Sequence, residues 1–187
     1  MPRLRAAAIC ICFLVASSGL SATSVEEITF DELVGRAERI FVGRVVDVRS
    51  AWDGAAIRTH VTFRVGQTVK GRSSILVELT FLGGEVGDTA LEVSGMPEFT
   101  VGDEHVIFSV EQLKVASPIV GFWHGQVRVV KDAAGRSRVL RHDRTSFARA
   151  SALTQSASSA TGRETPMTLD AFLADVRQAM RVRRPAR

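Results

Sequence analysis

Four histidines, His60, His105, His124 and His142, are the side chains of this chain best suited to hold a metal ion or pass a proton at neutral pH. No two lie within five residues of each other, so the H-x-x-x-H and H-E-x-x-H patterns that set two imidazoles on one helix face are absent. A histidine site would have to be assembled from distant strands. His60 falls on the polar face of its own strand, which suits a solvated side chain. A serine nucleophile needs a base in reach and a sharp turn to present it. No G-x-S-x-G occurs, and Ser94 before Gly95 lacks the first glycine. The carboxylate pairs Asp103–Glu104 and Glu85 with Asp88 have the chemistry for acid–base work, but their turn-like surroundings suit solvation better. The run Gly83-Gly84-Glu85-Val86-Gly87 lacks both the Gly-Lys-Ser/Thr ending and a following helix, so the phosphate-cradling logic fails. A wide turn with left-handed backbone explains its glycines better. These residues predict neither an enzyme nor a metal or cofactor site.

Binding chemistry is better represented. Phe122, Trp123 and His124 lie between Gly121 and Gly125, an arrangement that suits an exposed platform for a partner or ligand. Trp123 is also large enough to serve as core or lid. Arg181, Arg183, Arg184 and Arg187 cluster at the end of the chain. They could contact envelope anions or lipid headgroups, or form a solvated tail. Basic residues are not interleaved with aromatics, which argues against nucleic acid.

The elements that must position these residues begin after a leader. Arg3 and Arg5, an apolar stretch over 6–15 and a small, polar stretch over 16–24 have the order of a secretory signal peptide. The apolar core is shorter than the roughly 20 residues needed to cross a bilayer. Export to the periplasm or the medium is expected, with membrane contact only through the signal peptide before cleavage. Cys10 and Cys12 both lie in the leader, so no disulfide framework or cysteine-ligated zinc is expected after removal. Charge is uneven: residues 25–111 hold 15 acids and 8 bases, residues 112–187 hold 5 acids and 14 bases. Attraction between the two halves, or an anionic partner, would account for this.

Thr29 and Glu32 form a T-x-x-E capping box that opens a short helix, with Phe30, Leu33, Val34 and Ala37 on one face. Strands follow. Residues 40–48 are apolar on both faces. Residues 57–69 alternate, with Ile57, Val61, Phe63, Val65 and Val69 on one side, and Gly66 marks a bulge or bend. Ile75, Val77, Leu79 and Phe81 alternate in the next strand, and weaker strands are expected over 90–93, 105–110, 126–130 and 138–140. Residues 151–166, rich in Ser, Ala and Thr, read as a flexible linker. Thr168 then caps an amphipathic helix with Leu169, Phe172, Leu173, Val176 and Met180 as its stripe. The division is a signal peptide (1–24), a β-barrel domain (25–150), the linker (151–166), and a C-terminal helix with a basic tail (167–187). The fold class is mainly β: a small OB-like closed or partly open barrel with a short N-terminal helix and a C-terminal amphipathic helix.

The runs Phe30-Asp31-Glu32-Leu33-Val34, Ala37-Glu38-Arg39-Ile40-Phe41-Val42-Gly43-Arg44-Val45, Gly83-Gly84-Glu85-Val86-Gly87, Gly95-Met96-Pro97-Glu98-Phe99 and Val101-Gly102-Asp103-Glu104 resemble those of uncharacterised exported bacterial proteins. The element order is similar to the OB-type barrel of tissue inhibitors of metalloproteinases and netrin-like modules. That resemblance implies no inhibition here. The family's Cys-x-Cys acts at the mature N-terminus, whereas Cys10-Ile11-Cys12 lies in the leader. The function expected is a non-catalytic exported module that binds another envelope or secreted protein. The alternatives are a binder of anionic glycan or lipid through the basic C-terminal half, and an enzyme with a site built from distant residues.

Overall fold

The structure, a computed structural model, describes residues 28–111, 116–155 and 165–182. The expected signal peptide lies outside the described residues, as do Arg183, Arg184 and Arg187. Helix α1 (Phe30–Arg36) starts with the capping box: Glu32 N–H donates to Thr29 Oγ1 at 3.2 Å, and Thr29 N–H donates to the Glu32 carboxylate at 2.9 Å. Phe30, Leu33 and Val34 are buried on its inner face.

Two long strands follow, β1 (Arg39–Asp53) and β2 (Ala56–Lys70), joined by a tight turn at Gly54 and Ala55. Fifteen residues in each exceed the usual strand length, and three bulges bend the pair. The register passes from Val42↔Gln67 to Gly43↔Val65, leaving Gly66 unpaired as its sequence position suggested. Val69 and Val46 are skipped in the same way. An extra residue reverses which face the following side chains meet. Val61, Phe63 and Val65 therefore pack on one side of the sheet, whereas Val69, expected on the same side, packs on the other.

The remaining strands are β3 (Leu76–Leu82), β4 (Gly84–Val86), β5 (Thr89–Leu91), β6 (Glu104–Ser109), β7 (Gln126–Lys131) and β8 (Ser137–Leu140). Six form one antiparallel sheet in the order β3-β2-β1-β6-β7-β8, and β4-β5 form a separate two-stranded ribbon. β4 lies within the glycine-rich stretch read from sequence as a wide turn. Gly83 (φ 103°) and Gly84 (φ 129°) do have the left-handed backbone expected there. Gly84 also crosses the β1–β2 pair so closely that a Cβ would lie 2.4 Å from Ser50 Oγ.

The chain closes with a 3-10 turn at Ala150–Ala152 and helix α2 (Leu169–Val182). Thr168 caps α2, its Oγ1 accepting from Ala171 N–H at 3.2 Å. Phe172, Leu173, Val176 and Ala179 form the buried stripe. Ala152 and Leu153, at the start of the stretch read as a linker, are buried beside it. No described helix is long and apolar enough to cross a membrane.

β1 is apolar on both faces because both faces are covered. Ile40 and Val42 join Val106, Phe108, Val127, Val129 and Val139 beneath α1, α2 and the 3-10 turn. Phe41 and Val45 join Val61, Phe63, Val77, Leu79, Phe81 and Ile107 on the opposite face. The sheet is open, and no closed barrel forms among the described residues. Among the described residues one backbone bond, Leu82 N–H to Ala116 C=O at 2.8 Å, ties the end of β3 to the chain returning from β6. Short of that point, a cavity of about 690 Å3 is lined by Val77, Leu79 and Thr80 of β3 and by Val110 and Pro118. Among the described residues the strand edges do not continue as a ladder there.

Candidate functional site

The β6–β7 hairpin presents the aromatic residues by interrupting its own ladder. Phe108 N–H donates to Gly125 C=O, and Val120 N–H donates to Phe108 C=O, each at 2.9 Å. Ser109 bridges Ile119, so residues 119 and 120 continue the line of β7. The four residues between them and Gly125 leave the sheet as a turn. His124 N–H to Gly121 C=O and Gln126 N–H to Trp123 C=O, each 3.1 Å, close it. Gly125 permits the return because a Cβ there would meet Val120 O at 2.6 Å and Phe108 O at 2.9 Å.

Phe122 has φ 56°, a left-handed backbone rarely adopted by a bulky residue. Its side chain is 54% exposed. Trp123 is half-buried at the centre of a ring cluster, with centroids 6.0 Å from Phe122, 5.9 Å from His124 and 5.6 Å from His142. Gly95, from the segment after β5, backs the indole; a Cβ there would be 3.4 Å from it. The structure thus brings Phe122, Trp123 and His124 together and adds His142. Trp123 is the anchored ring, and Phe122 is the presented one.

Burial lowers the pKa of His124, opposed by a Gly121 backbone hydrogen bond, and burial likewise lowers that of His142, opposed by Asp143. Both shifts favour neutral imidazoles. Neither ring hydrogen-bonds a carboxylate or hydroxyl among the described residues, so the cluster offers ring faces rather than a proton-relay pair. No group of three histidine, cysteine or carboxylate side chains gathers for a metal among the described residues. His60 lies on the polar side of β2, its Nδ1 3.2 Å from both Glu78 Oε1 and Thr80 Oγ1.

His105 is the most unusual histidine and has no local sequence signature. It is fully buried, and neither Nδ1 nor Nε2 has a hydrogen-bond partner. Its ring meets Phe99 edge-on at 5.3 Å. Burial, reinforced by the nearby Arg128 and opposed by Asp103, pushes its pKa down to about 4. Phe99 in turn touches Phe63 and Phe81, each at 5.3 Å.

Of the candidate anion contacts, Arg181 alone falls among the described residues. Arg181 is exposed in the last turn of α2, and its three companions are outside the described residues. Several described bases of the C-terminal half are engaged internally. Arg128 pairs with Asp103 at 2.8 Å, across the acidic–basic division, and Arg136 and Arg138 share Asp132, each at 3.0 Å. Arg141 is buried, donating to Thr145 Oγ1, Ser146 C=O and Ala152 C=O, with its guanidinium 5.4 Å from the Phe147 ring centre.

Comparison with protein-family models, curated proteins and solved structures finds no match to this chain.

Proposed function

We propose that this protein is an exported, non-catalytic β module that binds another envelope or secreted protein through the turn carrying Phe122 and Trp123. The observation that carries the reading is the conformation of Phe122. A bulky residue at φ 56° with an exposed ring gains little burial in return for its backbone strain. Strain of this kind costs about 1–3 kcal/mol and concentrates at recognition and active sites. Trp123 beneath it supplies a rigid apolar anchor, the residue type that dominates binding energy at interfaces. The strand order supports an OB-type reading of the sheet. β1 pairs with both β2 and β6, and the Leu82–Ala116 bond lies where β3 would meet the strand after β6. Export rests on the leader-like character of residues 1–24.

The test uses immobilised protein and an extract of the native host's envelope. A partner retained by the wild type and lost with Phe122→Ala, while the variant keeps its circular dichroism and melting temperature, supports the reading. Equal retention by both removes the aromatic turn from recognition. Amino-terminal sequencing of the protein recovered from the host checks export, which predicts a start close to residue 25.

A further inference from the structure

The sheet face away from the helices holds a groove of about 1040 Å3 between β1–β3 and the segment running through β4, β5 and residues 92–100. Val48, Val61, Phe81 and Phe99 supply an apolar floor. Two of its hydroxyls are engaged within the chain: Ser50 Oγ and Thr59 Oγ1 are 3.0 Å apart, and Thr59 donates to Gly83 C=O at 2.7 Å. Three glutamates, Glu85, Glu92 and Glu98, stand exposed among the lining residues, and none of the lining residues is basic.

These glutamates differ from the acids that face arginines along the six-stranded sheet. Glu78, Glu104, Glu111, Asp53 and Asp103 each have an arginine partner. Glu85, Glu92 and Glu98 have no ion-pair partner among the described residues. The chain supplies no nearby cation in sequence either: from Ser73 to Leu113 it contains no lysine or arginine.

We propose that this groove is a docking site for a cationic amphipathic polypeptide segment of a partner protein. Such a segment would lay apolar side chains on the floor and direct lysine or arginine to Glu85, Glu92 and Glu98. The volume exceeds that of a typical drug-sized ligand pocket and suits several consecutive side chains. An anionic ligand would be repelled by unpaired carboxylates, and a wholly apolar one would leave them without partners. The groove adjoins the aromatic turn at Gly95, which lines the one and backs the other. The proposal stands whether or not Phe122 contacts a partner.

Isothermal titration with short synthetic peptides tests it. A peptide of alternating leucine and lysine should bind saturably at low salt and more weakly as salt rises, and alternating leucine and glutamate should not bind. The combined variant Glu85→Gln, Glu92→Gln, Glu98→Gln alters only exposed side chains and should weaken the leucine–lysine peptide about tenfold. Phe122→Ala should leave that affinity unchanged. Equal binding of both peptides, wild-type affinity in the triple variant, or loss of binding in Phe122→Ala alone would each overturn the proposal. So would a wild-type dimer in sedimentation equilibrium that the triple variant dissociates, since the occupant would then be a second copy.

Discussion

The two faces of the sheet are built to different standards. On the helix side, Phe172 is fully buried within 5.9 Å of Phe30 and Phe147 and 6.2 Å of Phe108. The buried arginine there, Arg141, has both terminal nitrogens hydrogen-bonded, and its Nε alone lacks a partner among the described residues. On the opposite face the cover is the short β4–β5 ribbon and the irregular residues 92–100, held by the half-buried Phe99. Of the buried polar side chains there, Gln126 donates to Glu98 C=O at 2.8 Å, whereas His105 has no partner at either nitrogen. A regular element covers a sheet while satisfying its own backbone, so it seals well. An irregular segment covers incompletely and leaves a groove. The contrast assigns stability chiefly to the helix side and leaves the other face available for recognition.

The largest effect expected is from Phe172→Ala, which should cost about 3–5 kcal/mol in urea unfolding by opening a cavity in the sealed core. Acid provides the next. The pKa of His105 is about 4 in the folded protein, below the roughly 6.5 of an unfolded histidine. The folded state therefore prefers the neutral ring. Its stability is intact above about pH 6.5 and falls by about 3 kcal/mol as the pH drops towards 4. His105→Leu should flatten that part of the stability profile relative to wild type. An unchanged slope would mean that His105 does not carry the loss.

Phe99→Ala should cost less than Phe172→Ala, about 1–2 kcal/mol, because its ring is only partly buried. Equal losses from the two would erase the distinction between the faces. The smallest change, and one of opposite sign, is expected from Phe122→Gly. Glycine adopts φ 56° without the side-chain penalty, so unfolding free energy should rise by up to about 1 kcal/mol. A loss instead would make Phe122 a structural residue and sharpen the search for partners elsewhere on the surface.

The sequence by itself determined the elements whose signals are local. The Thr29–Glu32 box, the α2 stripe, the alternation of β2 and the bulge at Gly66 all arise from residues within a few positions of one another. It also brought Phe122, Trp123 and His124 forward, since three adjacent residues need no fold to be neighbours. The tertiary structure alone decided what depends on distant pairing. It extended β1 to Asp53 along β2, left the sheet open beside β3, and moved Val69 to the helix side through successive bulges. It joined His142 to the aromatic turn and buried His105 behind Phe99. Side-chain period reports which face a residue prefers, but register, closure and cross-sheet neighbours are set by contacts that no short window contains.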